Sequence, residues 1–559
     1  MNKIVTAALA IVVLPVASLF AATTRYVVPA GTDGNTPTAP YNTWDKAAND
    51  LATAIEAAQA LDTILVAPGT YSITSTLDVR GVTGNTRNYI TIRSCNRETG
   101  EEDPEHTIID GGGTTAIMTV NSQVLKLHGL TFANGYVESD SYVAGVNNGA
   151  SAGIFFNVGQ IGTNGRGMIS NCVFRCNKSK NVVGTCIYNY TKTPPLIVDC
   201  TFSCNTQEVT VVSNAVEGVA IYMAVSSSAT EDKYGNITGC TFRDNVGRGP
   251  KAFGSTVYLQ TGRTVVDNCN FYTNSFEQTQ DNQNTTGSYL NFGKSTTVRN
   301  CRFSCKGFDN SNGRYLYGTV INVGADCTFS NCTFTAIEES SGNNLYGTIH
   351  VAGDSTKFLD CVFTNNTLYA SAFMFVEGVG DLLLRNCLFA GNDRKKSDGR
   401  LVYRYGNKAA TTATGITVEN CTFADNTDNI TPLYFEHNNY TNYLVNSVFT
   451  TASIVGVKKD CSFAMVASNC CFTALQEIGG LTFSDCITVA NGNHKFVDAA
   501  NGDYHLQRTS PLRDKGMMLD WMTADAIDLD GNPRVYGDRP DLGCYECCIE
   551  YPGLMVIVF

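Results

Sequence analysis

One short phrase, Asn/Asp/Gly-Cys-x-Phe, keeps recurring along this chain, and a series of nine copies spaced 26 to 40 residues apart limits what the chain can fold into. Its cysteines are Cys172, Cys200, Cys240, Cys269, Cys301, Cys332, Cys361, Cys387 and Cys421. An earlier form, G-L-T-F, stands at Gly129–Phe132. Degenerate forms follow at Asn446–Phe449, with Ser447 in the cysteine place, and at Asn469–Phe472. From Leu130 to Cys470 there are eleven intervals over 340 residues, a mean near 31. A unit of that length cannot bury a core alone, so the copies must stack into an array.

Within each copy Cys and Phe alternate with polar or variable residues, the period of a strand with both side chains on one face. Asn stands three residues after Phe at Asn177, Asn205, Asn245, Asn274, Asn366, Asn392 and Asn426. Asn tolerates the left-handed backbone of a tight corner, and a stacked amide can bond to the Asn above and below. We therefore expect these residues and the nine cysteines to form structural ladders. A second signal, Gly-small-x-Ile/Val, starts at Gly184, Gly254 and Gly318, with the variant G-T-I-H at Gly347. Gly287, Gly318 and Gly347 each precede their cysteine by 14 residues, so two strands and a corner are held at fixed length.

No 3.6-residue periodicity runs through these segments, which excludes helical and leucine-rich repeats. The expected fold is all-β: a right-handed parallel β-helix with an N-terminal helical cap. The paired F-x-x-N and Gly-small-x-Ile signals resemble the repeats of polymorphic outer-membrane proteins, within the pectate-lyase-like class, over roughly residues 120 to 475. Those proteins carry a C-terminal membrane barrel, and none is expected in the short stretch that follows these repeats.

The organisation read from the sequence is a signal peptide at 1–22, cap and first coils at 23–115, repeats at 116–490, and a C-terminal cap at 491–559. Met1–Ala22 has Lys3, an apolar stretch broken by Pro15, and small residues at Ala21–Ala22. That is the pattern of a cleaved export signal, which implies a secreted or surface protein of a bacterial envelope with no membrane span in the mature chain. Trp44, Ala47, Ala48, Leu51, Ile55 and Ala58 fall on one helical stripe that would cover the first coil's free edges. At the other end, G-D-Y-H-L (Gly502–Leu506), D-L-D-G-N-P-R (Asp528–Arg534) and D-L-G-C-Y-E (Asp541–Glu546) resemble the choice-of-anchor Q segment of bacterial surface β-helix proteins. The apolar tail Cys547–Phe559 matches no sorting signal.

Twenty-two cysteines in an exported chain raise the expectation of disulfides, but thiols aligned in a ladder also pack as small hydrophobes. Most ladder thiols are expected to be free. Cys176, Cys204 and Cys305, four residues past a ladder Cys and read as lying on the same face, are better candidates for bridges. So is the C-x-x-C pair of Cys544 and Cys547.

A net charge of −12 argues against nucleic acid as a partner, because phosphate binding needs clustered Lys and Arg. No catalytic, cofactor or metal set is assigned. His128 and His350 read as structural, Asp199 and Asp360 as corner residues, and Asp528 and Asp530 as turn formers. No cofactor is expected, with Ca²⁺ left open as the ion that lyases of this class use.

The loops Ser275–Thr286, Lys306–Tyr317, Ala336–Tyr346 and Asp393–Arg400 share one slot and mix aromatic rings with amides and charges. Insertions at one slot project from one side of a solenoid. The expected function is a non-catalytic, monomeric adhesion or glycan-binding protein acting on a glycan or host-cell ligand through that face. The alternatives are a polysaccharide lyase or glycoside hydrolase on uronate glycans and a structural envelope rod. A groove of carboxylates with Arg or Lys would favour the enzyme; flat ladders of Tyr and amides under the loops would favour binding.

Overall fold

The alternation in each repeat yields short strands, most of them of three to five residues, and these stack coil upon coil. The computed structural model describes residues 22–548 except 81–88, 122–123, 144–150, 158–165, 190–193, 225–234, 262, 281–284, 287–288, 306–315, 318–319, 339–345, 370, 378–380, 396–398, 407–414, 437–439, 460 and 462. The signal-peptide reading, the apolar tail after Cys548, Gly287, Gly318 and much of the variable loops lie outside the described residues.

Three long sheets run the length of the stack. Sheet A has 16 strands from Thr24–Val27 to Leu481–Ser484, sheet B has 15 from Gly69–Ser72 to Ile487–Thr488, and sheet C has 13 from Leu77–Arg80 to Val455–Val457. A five-stranded sheet D, Tyr136–Val143 to Ser275–Gln278, sits between B and C on the earlier coils. One coil runs A, B, D, C: Leu196–Val198, Thr201–Ser203, Thr206–Glu208, Ile221–Ala224, then back to A at Gly235–Thr238. Neighbouring strands in all four sheets are parallel, as at Val173↔Thr201 and Phe174↔Phe202. The fold is a right-handed parallel β-helix, the hand that parallel crossover connections take.

The phenylalanines stack in sheet B from Phe132 to Phe472, with neighbouring ring centroids 4.5 to 5.5 Å apart. The nine cysteines are buried beside them, at the corner from sheet A to sheet B. Cys486, in D-C-I-T without the phenylalanine, extends the ladder by one coil, its thiol donating to the Ala467 carbonyl at 3.3 Å. At the next corner the asparagines form their own ladder: Asn177 donates to Asn205 Oδ1 at 3.0 Å, Asn205 to Asn245 at 2.9 Å, and Asn392 to Asn426 at 2.8 Å. Each amide also donates to the phenylalanine carbonyl of the preceding coil, as Asn205 does to Phe174 at 2.9 Å. Between Asn274 and Asn366 two coils lack the Asn, and there Cys305 and Ile337 fill the interior place.

The left-handed backbone is not where the sequence placed it. It falls on the residue before the ladder Asn (Cys176, Cys204, Asp244, Thr273, Asn365, Asp425) and on the residue before the ladder Cys (Asn171, Asp199, Asn268, Asn300, Asp360, Asn386). A left-handed residue turns the chain, so its side chain faces outward while the next one points in. The ladder asparagines are therefore buried bonding groups, and the bend belongs to their neighbours.

Only Leu51–Ala57 of the expected stripe is α-helical; Trp44–Lys46 is a 3₁₀ turn, and Ala48 bridges to Val27 in extended form. Asp50 caps the helix by accepting from Thr53 N–H at 2.7 Å, and Leu51, Ala54 and Ile55 cover the inner residues Val27, Ile64 and Val66.

Residues 491–548 do not close the far end. Leu481 and Phe483, inward residues of the last coil, stay part-exposed. Instead the segment runs back as a strap along sheet B. Asn386 Nδ2 donates to the Ile527 carbonyl at 2.9 Å, Asn469 Nδ2 to Lys515 O at 3.0 Å, and Asn446 exchanges two bonds with Met517. Tyr504 and Cys544 pack on Leu388, Ala390 and Ala424, while Cys547 packs with Val448 and Cys471. Cys544 and Cys547 thus enter separate apolar clusters and are not bridged to each other, which corrects the expected pairing. The strap's own centre is polar: Arg534 pairs with Glu546 at 2.7 Å, and Asp528 accepts the N–H groups of Asp530, Asn532 and Glu546.

Candidate functional site: a groove on sheet A

Four consecutive strands, Thr356–Leu359, Leu382–Arg385, Ile416–Glu419 and Thr441–Val445, build a groove on the outer face of sheet A. Alternation turns Phe358, Leu384, Val418 and Leu444 into the core, so their neighbours face out. Register then aligns Lys357, Leu383, Thr417 and Tyr443 in one outward column, and Leu359, Arg385, Glu419 and Val445 in a second. Aligned on the ladder cysteine, these are the residues four and two places before it in each repeat.

The groove holds about 790 Å³ and is open to solvent. Ser355, Asp381, Gly415 and Tyr440 form its rim at the corner from sheet C. Gly415 is required there, since a Cβ would lie 2.4 Å from the Thr441 carbonyl and 2.7 Å from Asn442 Oδ1. On the opposite side the strap contributes Trp521, whose ring stacks 4.4 Å from the Arg385 guanidinium. Arg385 also pairs with Glu419 at 2.8 Å. The floor is therefore a fixed charged pair, flanked by the Thr417 hydroxyl, Lys357, and the ring of Tyr443, which is 47% exposed.

Behind the rim lies Arg404 of sheet C, 2% exposed, with no hydrogen-bond partner for its Nη2 among the described residues. Burial lowers its pKa, and Tyr440, Asp354 and Asp381 pull the other way.

The binding face proposed from the sequence, beside the variable loops, is the outside of sheet C. A ladder of rings does run there: Phe155, Tyr188, Tyr222 and Tyr258, with centroids 5.0 to 5.2 Å apart. Asn291, Asn322 and His350 continue it, with Asn322 donating to Asn291 at 3.2 Å and His350 Nδ1 bonding to Asn322 Oδ1 at 2.8 Å. Phe155, Tyr188 and Tyr222 are buried, and their faces are turned to one another. A ring engaged on both faces has none left for a sugar, so this ladder is structural.

The other singled-out residues have local roles. His128 Nδ1 bonds to Ser170 Oγ at 2.5 Å, and burial lowers its pKa. His350 Nε2 pairs with Glu377 at 3.0 Å. Asp199 and Asp360 occupy left-handed corners, with φ of 51° and 54°. Asp528 forms the turn read from the sequence, accepting from Asp530 N–H at 3.0 Å and Asn532 N–H at 2.8 Å. Cys176 and Cys204 lie on the exposed outside of their corners, not on the ladder face, and Cys305 is buried.

No family model and no curated protein matches the chain. Among solved structures it is similar to the pectate lyase Pel9A, at 12% identity and a TM-score of 0.30, covering 94% of this chain and 96% of that one. It is also similar to the A-module of the mannuronan C-5 epimerase AlgE6 of Azotobacter vinelandii, at 12% identity and a TM-score of 0.31, covering 76% and 90%. A mannuronic-acid-specific family 6 lyase from human gut microbiota gives 12% identity, a TM-score of 0.28, and coverage of 78% and 87%. Among the described residues no group of three or more His, Cys, Asp or Glu is placed to hold a metal ion. No helix among them is long and apolar enough to cross a membrane.

Proposed function

We propose that this chain is an exported, non-catalytic carbohydrate-binding β-helix protein of a bacterial surface, and that its glycan lies in the groove on sheet A. The observation that carries this reading is the exposed Tyr443 ring next to Thr417, with the fixed Arg385–Glu419 pair and Lys357 farther along the same open groove. An aromatic face takes the apolar side of a sugar ring, while preset polar groups take its hydroxyls. Arg385 is held by both Glu419 and Trp521, an arrangement suited to orienting a ligand more than to moving a proton.

The test is co-sedimentation of the purified chain with pectins, alginates and host-type glycans, followed by mass spectrometry of the sugars. Binding of intact glycan is expected, and Tyr443→Ala should weaken it roughly tenfold, a loss of about 1.4 kcal/mol, with the melting temperature unchanged. Unsaturated or water-added fragments would replace this reading with a lyase or a hydrolase. No binding and no cleavage would leave a structural rod.

A further inference from the structure

Away from the groove, one pair of side chains is placed for covalent chemistry. Cys176 and Cys204 each follow a ladder phenylalanine by two residues, on adjacent strands of sheet B paired in register with Arg175 opposite Ser203. Both adopt the left-handed corner, with φ of 56° and 57°, and Cys176 N–H donates to the Ser203 carbonyl at 3.2 Å. Equivalent residues one coil apart are separated by about 4.8 Å, inside the Cα separation of about 4.4–6.8 Å that a disulfide accepts. Both thiols are exposed, whereas the ladder thiols Cys172 and Cys200, four residues earlier, are sealed in the core. Burial and then the neighbouring Cys176 and Asp244 raise the Cys204 thiol, so the two sulfurs lie within electrostatic reach. The equivalent corner residues on the flanking coils are Asn134 and Asp244, so within this column each cysteine has only the other to meet.

We propose that Cys176 and Cys204 are a solvent-facing dithiol that closes into a cross-coil disulfide on meeting a small-molecule disulfide oxidant. One thiolate attacks a sulfur of the oxidant, forming a mixed disulfide and releasing half of the oxidant as a thiol. The second cysteine, as thiolate, attacks the protein sulfur of that mixed disulfide and expels the other half. The protein loses two protons and two electrons, and the oxidant's disulfide is reduced to two thiols. The bond joins consecutive coils where the chain leaves sheet B for the sheet D strands Lys178–Val182 and Thr206–Glu208. It would pin those strands together while the buried ladder stays reduced.

The test treats the full, native chain with oxidised glutathione, alkylates it in denaturant, and maps the peptides by mass spectrometry without reduction. The expected result is one linked peptide pair containing Cys176 and Cys204, lighter by two hydrogens, with Cys172 and Cys200 alkylated. In Cys204→Ser, Cys176 should instead retain a single glutathione. Separate glutathiones on both cysteines of the native sequence, full alkylation of both after oxidation, or linkage of either to another cysteine would each overturn the proposal.

Discussion

At each corner two neighbours in sequence have opposite tasks: one bends the backbone and faces water, the next is buried and bonded. Asp360 is a bending residue whose carboxyl has become partly enclosed. It accepts from Asn386 Nδ2 at 2.9 Å, yet burial dominates and pushes its pKa from 3.8 up to about 6. Below pH 3.8 the carboxyl is neutral in folded and unfolded chains alike. Between 3.8 and about 6 the folded chain holds a proton the unfolded chain has lost, so stability falls as pH rises through that window. Asn keeps the left-handed bend and the acceptor oxygen without the charge. Asp360→Asn should therefore stabilise the protein at pH 7, by no more than about 3 kcal/mol, and the gain should disappear below pH 3.8. Thermal melts of the two proteins across that range would check it; equal melting temperatures at pH 7 would show the carboxyl carries no cost.

Elements differ in what their outward faces present. On the earlier coils the outward face of sheet B carries Thr201, Thr241, Arg243 and Tyr272, all at least part-exposed, whereas later it carries Leu388, Ala390, Ala424 and Val448. The strap lies on the second set, because only there does covering the face remove apolar surface from water. Ala424 is fully buried beneath Tyr504 and Cys544. Ala424→Asp would place an uncompensated charge there, at a cost on the order of 3–5 kcal/mol. The strap should then lift and be cut by limited proteolysis between residues 490 and 548, while the β signal in circular dichroism persists. Resistance equal to the native chain would mean the strap is held by its corner asparagines alone. Release of the strap would also withdraw Trp521 from Arg385, which links the last segment of the chain to the groove.

For the whole molecule, stability is a sum over neighbouring coils, so the two ends are unlike. The N-terminal coil is covered by Leu51–Ala57, but the last coil has Leu481 and Phe483 part-exposed and a free edge in each long sheet. Hydrogen exchange should be fastest at Leu481–Thr488 and slowest in the central coils around Thr241–Arg243 and Thr333–Thr335. Uniform protection from end to end would contradict a stack that frays from its open edge.

The repeat phrase determined the parallel β-helix, the Cys and Phe ladders and the asparagine column, because a period of two makes inside and outside a local property of each strand. Two parts were readable but passed over: the outward residues two and four places before each ladder cysteine, and the apolar switch at Leu388, Ala390 and Ala424. Aligning the repeats would have placed both. Only the tertiary structure decided which outward columns form a groove, since Lys357, Arg385, Glu419 and Tyr443 come from four repeats joined by coil register. It also decided that the C-terminal segment runs back along sheet B, and that Cys176 and Cys204 face water. Those outcomes depend on the stacking of distant coils and on the exact residue that takes the left-handed bend, and neither is fixed within one repeat.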